Sequence, residues 1–314
     1  MTHAHHQSNK DKLYLHMSIP KIEYYCTKLE RSQPYLKGGR RLLPNCNNEE
    51  KCHPEKPLVS IVTVVYNAEM YLEKTIQSVI NQTYENIEYI IIDGGSQDLT
   101  LEIIKKYEEK ISYWISESDL GIYDAMNKGI ALCKGDIIGI MNAGDIYTTE
   151  AVSTVINSYE NSPISQIIVG NCKVTLDFEH SKWVVVSGKI DKLPYKTLPH
   201  PSVFVTLSVY KEQGLYNTSF RIAGDYDFLC RCFNKKVKFI HVDTVIAIAS
   251  QPGLSSNYYL NEAECLRVRL QNHLPFYLSI FMSIFSFVTI TLHKILANLG
   301  LWAVVESRRH GTIR

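Results

Sequence analysis

Apolar segments of strand length alternate with amphipathic segments of helix length between residues 57 and 145. Leu58 to Tyr66 is an uninterrupted, largely β-branched run that ends at Asn67, and residues 70–82 carry apolar side chains at helical spacing. Ile87 to Ile92 forms a second apolar strand. Two strands joined by one helix make a βαβ unit, which predicts a parallel sheet with a right-handed crossover.

The alternation continues through the rest of the chain, although the second half is richer in strands. Further helices are predicted over 99–108, from the turn after Glu117 to near Gly135, and over 148–161, 207–213, 220–233 and 258–272. Further strands are predicted over 112–116, 136–141, 166–170, 236–241 and 245–249, with 173–178 and 182–186 paired as a hairpin. This order of elements predicts an α/β fold with a mostly parallel central sheet.

Acidic residues stand where the predicted strands end. Asp93 follows the second strand directly, and Asp145 closes the polar segment after the strand that ends at Met141. In parallel α/β sheets, ligands bind beyond the carboxyl ends of the strands. The sequence therefore predicts a binding site at this edge of the sheet.

The two ends of the chain differ from its centre. Residues 1–56 have no sustained period and are predicted to be an extension, draped on the core or partly disordered. Phe276 to Leu292 carries no charge, and after His293-Lys294 apolar residues resume from Ile295 to Val305. A run of about 17 residues is near the lower limit for a bilayer span. Residues 258–314 are therefore predicted to associate with a membrane as one span, a re-entrant hairpin or an in-plane helix, with a buried core helix as the alternative.

Composition argues against some classes of function, such as nucleic-acid binding, but does not indicate a particular enzyme activity. The 314 residues include 33 basic and 32 acidic side chains, for a net charge of +1, which gives no support for a nucleic-acid-binding surface. The N-terminus is polar and is not expected to be a signal peptide, so the eight cysteines are expected to be reduced thiols in the cytoplasm. Cys46, Cys52 and His53, with His3, His5 and His6, match no zinc-site spacing, and we expect no metal there.

Several motifs in a fixed order resemble the inverting family 2 glycosyltransferases. They are Val59-Ser-Ile-Val-Thr-Val-Val-Tyr-Asn67, Ile92-Asp-Gly-Gly-Ser-Gln-Asp98, Ser118-Asp-Leu-Gly-Ile-Tyr-Asp-Ala-Met-Asn-Lys-Gly129, Lys134-Gly-Asp136, Asn142-Ala-Gly-Asp145 and Gly224-Asp-Tyr-Asp227. The resemblance implies a Rossmann-like GT-A fold over residues 57–257, which binds a nucleotide-diphosphate sugar.

The resemblance also implies which residues form the donor pocket. These are Asn67, Asp93, Gly94, Ser96, Asp119, Asn127, Lys128, Asn142 and His200. Asp93 can accept an N–H from the base, beside glycines that permit close approach, or it can shape the turn instead. Lys128 pairs with phosphate or with Asp119, or is a solvated helix lysine. His200 lies near the acceptor or diphosphate, or packs in the core.

A departing diphosphate needs its charge neutralised, and a hard divalent cation with oxygen ligands is the usual means. The resembling family uses an Asp-x-Asp element at the position where this chain has Asn142-Ala-Gly-Asp145. The last acid is retained, so Asp145 is the expected ligand of Mg²⁺ or Mn²⁺, and Asn142 offers a neutral oxygen. Asp145 as a simple helix cap is the alternative.

A sugar hydroxyl is a weak nucleophile, so direct displacement calls for a general base opposite the leaving group. Asp225 matches the catalytic aspartate of the family, in a motif that is often Glu-Asp and here is Gly-Asp. Asp227 is expected to cap the helix or to pair with Arg231. One base without a nucleophile pair implies inversion at the anomeric carbon.

The leading hypothesis is an inverting glycosyltransferase at the cytoplasmic face of the membrane, which transfers a sugar to a lipid-linked or polysaccharide acceptor. A non-catalytic binding or scaffolding protein on the same fold is the second hypothesis, because the first acid of Asp-x-Asp is absent. A nucleotidyltransferase ranks third, since Tyr66-Asn-Ala-Glu69 after the first strand has no basic phosphate-binding residue.

Overall fold

The computed structural model describes residues 19–31, 36–42, 56–160, 165–177, 182–249 and 257–298. The described strands are β1 (Leu36–Gly38), β2 (Val59–Val65), β3 (Ile87–Asp93), β4 (Tyr113–Ser116), β5 (Ile137–Asn142), β6 (Ile146–Tyr147), β7 (Gln166–Asp177), β8 (Lys182–Val186), β9 (Val203–Thr206) and β10 (Lys238–Ala249). The described helices are α1 (Ile22–Arg31), α2 (Leu72–Ile80), α3 (Thr100–Lys106), α4 (Ile122–Leu132), α5 (Ala151–Ser158), α6 (Leu207–Gln213), α7 (Gly224–Asn234), α8 (Tyr258–Gln271) and α9 (Phe276–Asn298). The cysteine and histidine cluster considered in the sequence lies outside the described residues.

The strands form one mixed sheet in the order β1-β4-β3-β2-β5-β9-β7-β10-β6, and β8 pairs with β7. Strands β2, β3, β4 and β5 are mutually parallel, and β7 and β10 run in the same direction. Strands β1, β6, β8 and β9 run the opposite way. The prediction of a largely parallel central sheet is confirmed, and so is the hairpin between β7 and β8.

Helices cover both faces of the sheet. One buried cluster joins the sheet to α2, α3 and α5, and the other joins it to α1, α4, α6, α7 and α8. Every residue of β2 is buried, because a strand covered on both faces needs apolar side chains in both directions. In α2, Leu72, Ile76 and Val79 are buried at helical spacing, which is the periodicity that predicted the helix. The carboxyl ends of β2, β3, β4 and β5 consequently meet at one edge.

The described parts of the N-terminal extension pack against the core, which is one of the two alternatives predicted from the sequence. Helix α1 buries Tyr25 against the core, and the hydroxyl of Tyr25 donates to Asp124 Oδ1 at 2.7 Å. Strand β1 pairs antiparallel with β4 at the edge of the sheet. Arg41 forms an ion pair with the buried Glu88. Parts of residues 19–42 therefore belong to the packed domain through long-range contacts that a local hydrophobic period cannot reveal.

One prediction for the C-terminal part differs from the structure. Residues 236–241 and 245–249 were predicted as two strands, whereas β10 is one strand with register shifts between Val242 and Ala247. Within the apolar tail, α9 runs through His293-Lys294 to Asn298 without a break. Phe276–Leu296 is a 21-residue apolar stretch with mean hydropathy 1.7, of which 12% is buried.

Candidate functional site

A cavity of about 730 Å³ opens beyond the carboxyl ends of β2 and β5. The ends of these two strands line it, together with residues of α4, β7, β10, the segment 197–201 and the start of α7. The predicted site residues that line it are Asp119, Asn142, Asp145, His200 and Asp225. The chain thus brings side chains that are more than 100 positions apart in sequence around one hollow.

Asp225 occupies the second residue of α7 and is partly buried at the cavity wall. Burial raises the pKa of this carboxyl above its ordinary value, and the nearby His200 ring and the hydroxyl of Tyr123 oppose that rise. A carboxylate made more basic by desolvation is a better proton acceptor near neutral pH. The geometry and the direction of the pKa shift both suit a general base.

Tyr123 of α4 holds the segment that leads into Asp225. Its hydroxyl lies 2.5 Å from the carbonyl oxygen of Ile222 and 3.1 Å from Asp225 Oδ1, and shares its proton between these acceptors. A Cβ at Gly224 would lie 2.7 Å from the Tyr123 ring, so the ring occupies the space that a side chain at position 224 would need. This packing accounts for glycine before Asp225, where the resembling family often has glutamate.

His200 stands beside Asp225 with one ring nitrogen unsatisfied. Its Nε2 is buried and has no hydrogen-bond partner among the described residues. Burial lowers the pKa of the ring, although the charge of Asp225 acts in the opposite direction. A neutral imidazole with a free, buried nitrogen on a cavity wall is available to a ligand hydroxyl.

Asp145 and Asn142 lie together at the end of β5. The backbone of this turn is fixed by Thr75, whose hydroxyl donates to the Asp145 carbonyl oxygen and accepts from Gly144 N, both at 2.8 Å. Asn142 Oδ1 is buried and without a hydrogen-bond partner among the described residues. A carboxylate beside an unpaired amide oxygen is an oxygen donor set that fits a hard divalent cation. The described residues contain no cluster of three or more His, Cys, Asp or Glu side chains that would hold a metal unaided.

Asp119 borders the cavity at the turn before α4. Burial raises the pKa of its carboxyl, and the hydrogen bond from Gly121 N and the charge of Lys128 act against the rise. A Cβ at Gly94 would lie 2.6 Å from Asp119 Oδ2, so the glycine admits this carboxylate to the end of β3. Gly94 therefore permits a close approach by a protein side chain.

Asp93 lies behind the cavity wall and is fully buried. Its carboxylate accepts hydrogen bonds from the hydroxyls of Ser96 and Ser116, each at 2.5 Å, and from Ser96 N. Ser96 Oγ in turn accepts from Asn67 N at 2.8 Å. Asn67, Asp93, Gly94 and Ser96 thus tie the ends of β2, β3 and β4 together beside the cavity, without lining it.

Asn127 and Lys128 are turned away from the cavity. Asn127 is fully buried and bonds both backbone groups of Tyr216, accepting from its N–H at 3.0 Å and donating to its carbonyl at 2.9 Å. Lys128 is buried and pairs with Glu117 at 2.7 Å and Asp124 at 3.4 Å. Both side chains lie outside the lining of the cavity, and the alternative of a solvated helix lysine at Lys128 is wrong because this residue is buried.

Some lining residues carried no sequence signal of their own. Tyr66 and Tyr71 are 62% and 55% exposed at the rim, where aromatic rings can stack on a planar base. Arg221 is exposed and is the only Lys or Arg among the described lining residues. Three aspartates, Asp119, Asp145 and Asp225, line the same cavity, so acidic side chains outnumber basic ones among the described lining residues. Tyr123 lies inside a recognised motif, but only its spatial partner Asp225 reveals its role.

Comparison with known sequences supports the family. The model of the family described as "Glycosyl transferase family 2" matches residues 60–220. An uncharacterised glycosyltransferase of Mycobacterium tuberculosis is 32% identical over 185 residues, covering 56% of this chain and 68% of that protein. A PGL/p-HBAD biosynthesis glycosyltransferase of Mycobacterium bovis is 26% identical over 226 residues, covering 69% of this chain and 86% of that protein.

Solved structures share the fold at low sequence identity. The mannosyltransferase PcManGT of Pyrobaculum calidifontis, in complex with GDP-Man and Mn²⁺, aligns with a TM-score of 0.56 at 13% identity, over 90% of this chain and 87% of that chain. S. aureus TarS 1-349 in complex with UDP-GlcNAc aligns with a TM-score of 0.55 at 15% identity, over 76% of this chain and 73% of that chain. The longer S. aureus TarS chain is covered over 42% of its length.

Proposed function

The chain belongs to glycosyl transferase family 2 and transfers a sugar from a nucleotide sugar, and we propose that it does so with inversion, using Asp225 as the general base. The proposed acceptor is a lipid-linked or polysaccharide hydroxyl in the synthesis of a cell-surface glycan. One observation carries the proposal. Asp225, with its raised pKa, shares a single cavity with the oxygen donors Asn142 and Asp145.

The proposed reaction is one displacement at the anomeric carbon of the donor sugar. The acceptor oxygen forms a bond to that carbon while its proton passes to the carboxylate of Asp225. The bond from the anomeric carbon to the phosphate oxygen breaks, and its electron pair leaves with the nucleoside diphosphate. Attack opposite the leaving group inverts the configuration. His200 Nε2 is a partner for a hydroxyl of the acceptor or the donor sugar.

The charges around the cavity favour a divalent cation in this reaction. Among the described residues, three aspartates and one arginine line the cavity, so a dianionic diphosphate would be repelled without a further positive charge. Asp145 and the unpaired Asn142 Oδ1 would hold Mg²⁺ or Mn²⁺ together with phosphate oxygens. When bound, the ion neutralises the negative charge that develops on the leaving diphosphate. Arg221 supplies a second positive charge at the rim.

The nucleoside part of the donor is assigned to the side of the cavity near the end of β2. Tyr66 and Tyr71 offer exposed rings for the base, and Asp119 offers an acceptor for a base or ribose donor group. The hydrogen-bonded set of Asn67, Asp93 and Ser96 holds the strand ends that carry these residues. Its contribution to donor binding is therefore proposed to be positional.

Helix α9 is proposed to lie in the plane of the membrane surface. Its 23 residues span about 34 Å at 1.5 Å per residue, enough to cross a hydrocarbon core of about 30 Å. One face is apolar and open, with Phe281 66%, Phe285 63% and Val288 60% exposed. This open face suits insertion between lipid headgroups.

The other face of α9 argues against a simple span. Ser283 is buried and bonds both Glu262 and Arg269 of α8, at 2.8 and 2.7 Å. Tyr259 of α8 stacks on Phe287, with ring centroids 6.1 Å apart. A span would carry the charged helix α8 into hydrocarbon, which is costly. We therefore assign α9 to the cytoplasmic membrane surface, where it brings the cavity near lipid-linked acceptors.

A panel of nucleotide sugars tests the function directly. Thermal shift and calorimetry are run with UDP-GlcNAc, GDP-mannose and related donors, with and without Mn²⁺. We expect one donor class to bind with a requirement for the cation, and to release nucleoside diphosphate slowly with water as acceptor. Binding of no donor in the panel would refute the proposal.

A non-catalytic binding protein is the second candidate, because the first acid of the family's Asp-x-Asp element is absent from this chain. The same panel separates the two functions. Tight donor binding without any release of nucleoside diphosphate, in the presence of Mn²⁺ and membrane lipid extract, would favour the binding protein.

A further inference from the structure

Three consecutive backbone N–H groups ahead of α7 converge on one side chain. Glu264 of α8 accepts from Arg221 N at 2.9 and 3.2 Å, from Ile222 N at 2.8 Å and from Ala223 N at 2.9 Å. Successive N–H groups that point inward form a concavity suited to an anion. Here the anion is a carboxylate supplied from more than 40 positions further along the chain.

This carboxylate lies where it acts on the start of α7. Glu264 is only 9% exposed, and its last donor, Ala223, is the residue that precedes the helix. A negative charge at a helix N-terminus is favourable because the free N–H groups there carry partial positive charge. Asp225 is the second residue of the helix that begins at this point.

Residues 221–223 are also held by hydrogen bonds from the side opposite Glu264. The carbonyl oxygen of Ile222 accepts from the Tyr123 hydroxyl, which also contacts Asp225. One helical turn beyond Glu264, Arg267 donates to Ser219 Oγ at 2.9 Å and stacks over the Phe220 ring. The peptide that leads into Asp225 is therefore fixed by α4 on one side and by α8 on the other.

We propose that Glu264 is a positioning residue, which clamps residues 221–223 and so fixes Asp225 against Tyr123 for proton transfer. The inference rests on the proposed role of Asp225 as the base. It also extends the catalytic unit beyond the matched residues 60–220 and beyond residue 257, where the sequence predicted that the catalytic domain ends. Helix α8 thus serves the active site as well as packing against α9.

The test compares full-length variants for donor binding and turnover. Glu264→Gln keeps the size of the side chain but removes its charge and one acceptor oxygen. Using UDP-GlcNAc and GDP-mannose with Mn²⁺, we expect kcat for nucleoside diphosphate release to fall by about 10–100-fold, because a small misplacement of a catalytic group has this effect. The donor Kd should stay within about twofold, since no donor contact is removed. Glu264→Asp retains the charge, and its kcat should lie between those of the wild type and of Glu264→Gln. Glu102→Gln, an exposed helix glutamate on α3, is the matched control.

A double variant distinguishes positioning from simple packing. In the background of Asp225→Asn, Glu264→Gln should cause no further loss of rate, because its effect acts through the missing base. Hydrogen exchange at the amides of 221–223 should accelerate in Glu264→Asp and Glu264→Gln, and this readout also applies if a variant is too unstable for kinetics.

The outcomes separate this proposal from the function itself. If Asp225→Asn is slow but Glu264→Gln keeps the wild-type kcat, the positioning role of Glu264 is refuted and the role of Asp225 stands. The same holds if the rate losses of the two substitutions multiply in the double variant. A lowered melting temperature with an unchanged kcat would show that Glu264 only stabilises the fold. A wild-type rate for Asp225→Asn would overturn the base assignment and, with it, the clamp.

Discussion

Asp225→Asn removes the proton acceptor of the proposed reaction and preserves the shape of the side chain. The amide oxygen of asparagine can still accept from the Tyr123 hydroxyl, which lies 3.1 Å from Asp225 Oδ1. The substitution also removes the negative charge that faces the His200 ring, while the size of the side chain is preserved. The variant therefore tests the charge and basicity of one carboxylate rather than its shape.

The expected loss of rate follows from the role of a general base. Such a group contributes about 10²- to 10⁴-fold to the rate, which is about 2.7–5.4 kcal/mol in activation free energy. We expect kcat of Asp225→Asn to fall within this range while the donor Kd is unchanged, because the proposed role of Asp225 is to accept the proton of the acceptor hydroxyl and not to bind the donor. The assay is release of nucleoside diphosphate, with binding measured in parallel by calorimetry.

Although kcat should fall in Asp225→Asn, the free energy of unfolding of this variant should stay the same or rise. Burial raises the pKa of Asp225 in the folded state, so the folded state favours the protonated form. Its stabilising contribution is present at low pH and is lost as the pH rises through the folded-state pKa. At pH 7 the ionised carboxyl thus lowers the free energy of unfolding, and the asparagine variant should melt at the same or a higher temperature than the wild type.

Asp227 supplies the matched control two residues away. It is buried and bonds Arg231 Nε at 3.0 Å, and it does not line the cavity. Asp227→Asn should lower the free energy of unfolding by about 1.5–3 kcal/mol, the range for a hydrogen bond to a charged group, and leave kcat of the folded enzyme unchanged. If Asp225→Asn turned over like the wild type, or Asp227→Asn lost turnover instead, the assignment of the base would be refuted.

Three further predictions address the other parts of the site. Tyr123→Phe removes a hydrogen bond that lowers the pKa of Asp225, so the acid limb of the kcat/KM profile should move to higher pH; an unmoved limb would contradict the contact. Asp145→Asn should raise the Mn²⁺ concentration needed for donor binding by about tenfold or more, and full activity of the wild type in EDTA would remove the cation from the proposal. Phe281→Ser and Phe285→Ser should each weaken binding to anionic liposomes by about tenfold, since each loses about 1.5 kcal/mol of apolar burial; undiminished co-sedimentation would place another surface at the membrane.

The sequence alone predicted the alternating strands and helices from β2 to α5 and the edge of the sheet at which the candidate site lies. Both follow from local rules, since apolar runs such as β2 must be buried and parallel strands place their carboxyl ends together. The motifs around Asp93, Asp145 and Asp225 sufficed to indicate the family. The topology of parallel strands was enough to predict that the strand ends share one cavity. This prediction did not depend on the directions of the side chains.

Only the tertiary structure decided which side chains face that cavity. Lys128 resembles a solvated helix lysine in sequence, yet it is buried. It pairs there with Glu117, which follows β4, and with Asp124, which lies one turn earlier in α4. Asp93 marks a strand end, but its carboxylate accepts hydrogen bonds from the hydroxyls of Ser96, in the following loop, and of Ser116, at the end of β4. Glu264 has no motif at all, and its position becomes meaningful only where α8 meets the start of α7. A hydrophobic period fixes which face of an element is buried. The partners of polar groups depend on how the folded elements meet, whether the partner is 3 residues away, as Ser96 is from Asp93, or 41 residues away, as Glu264 is from Ala223.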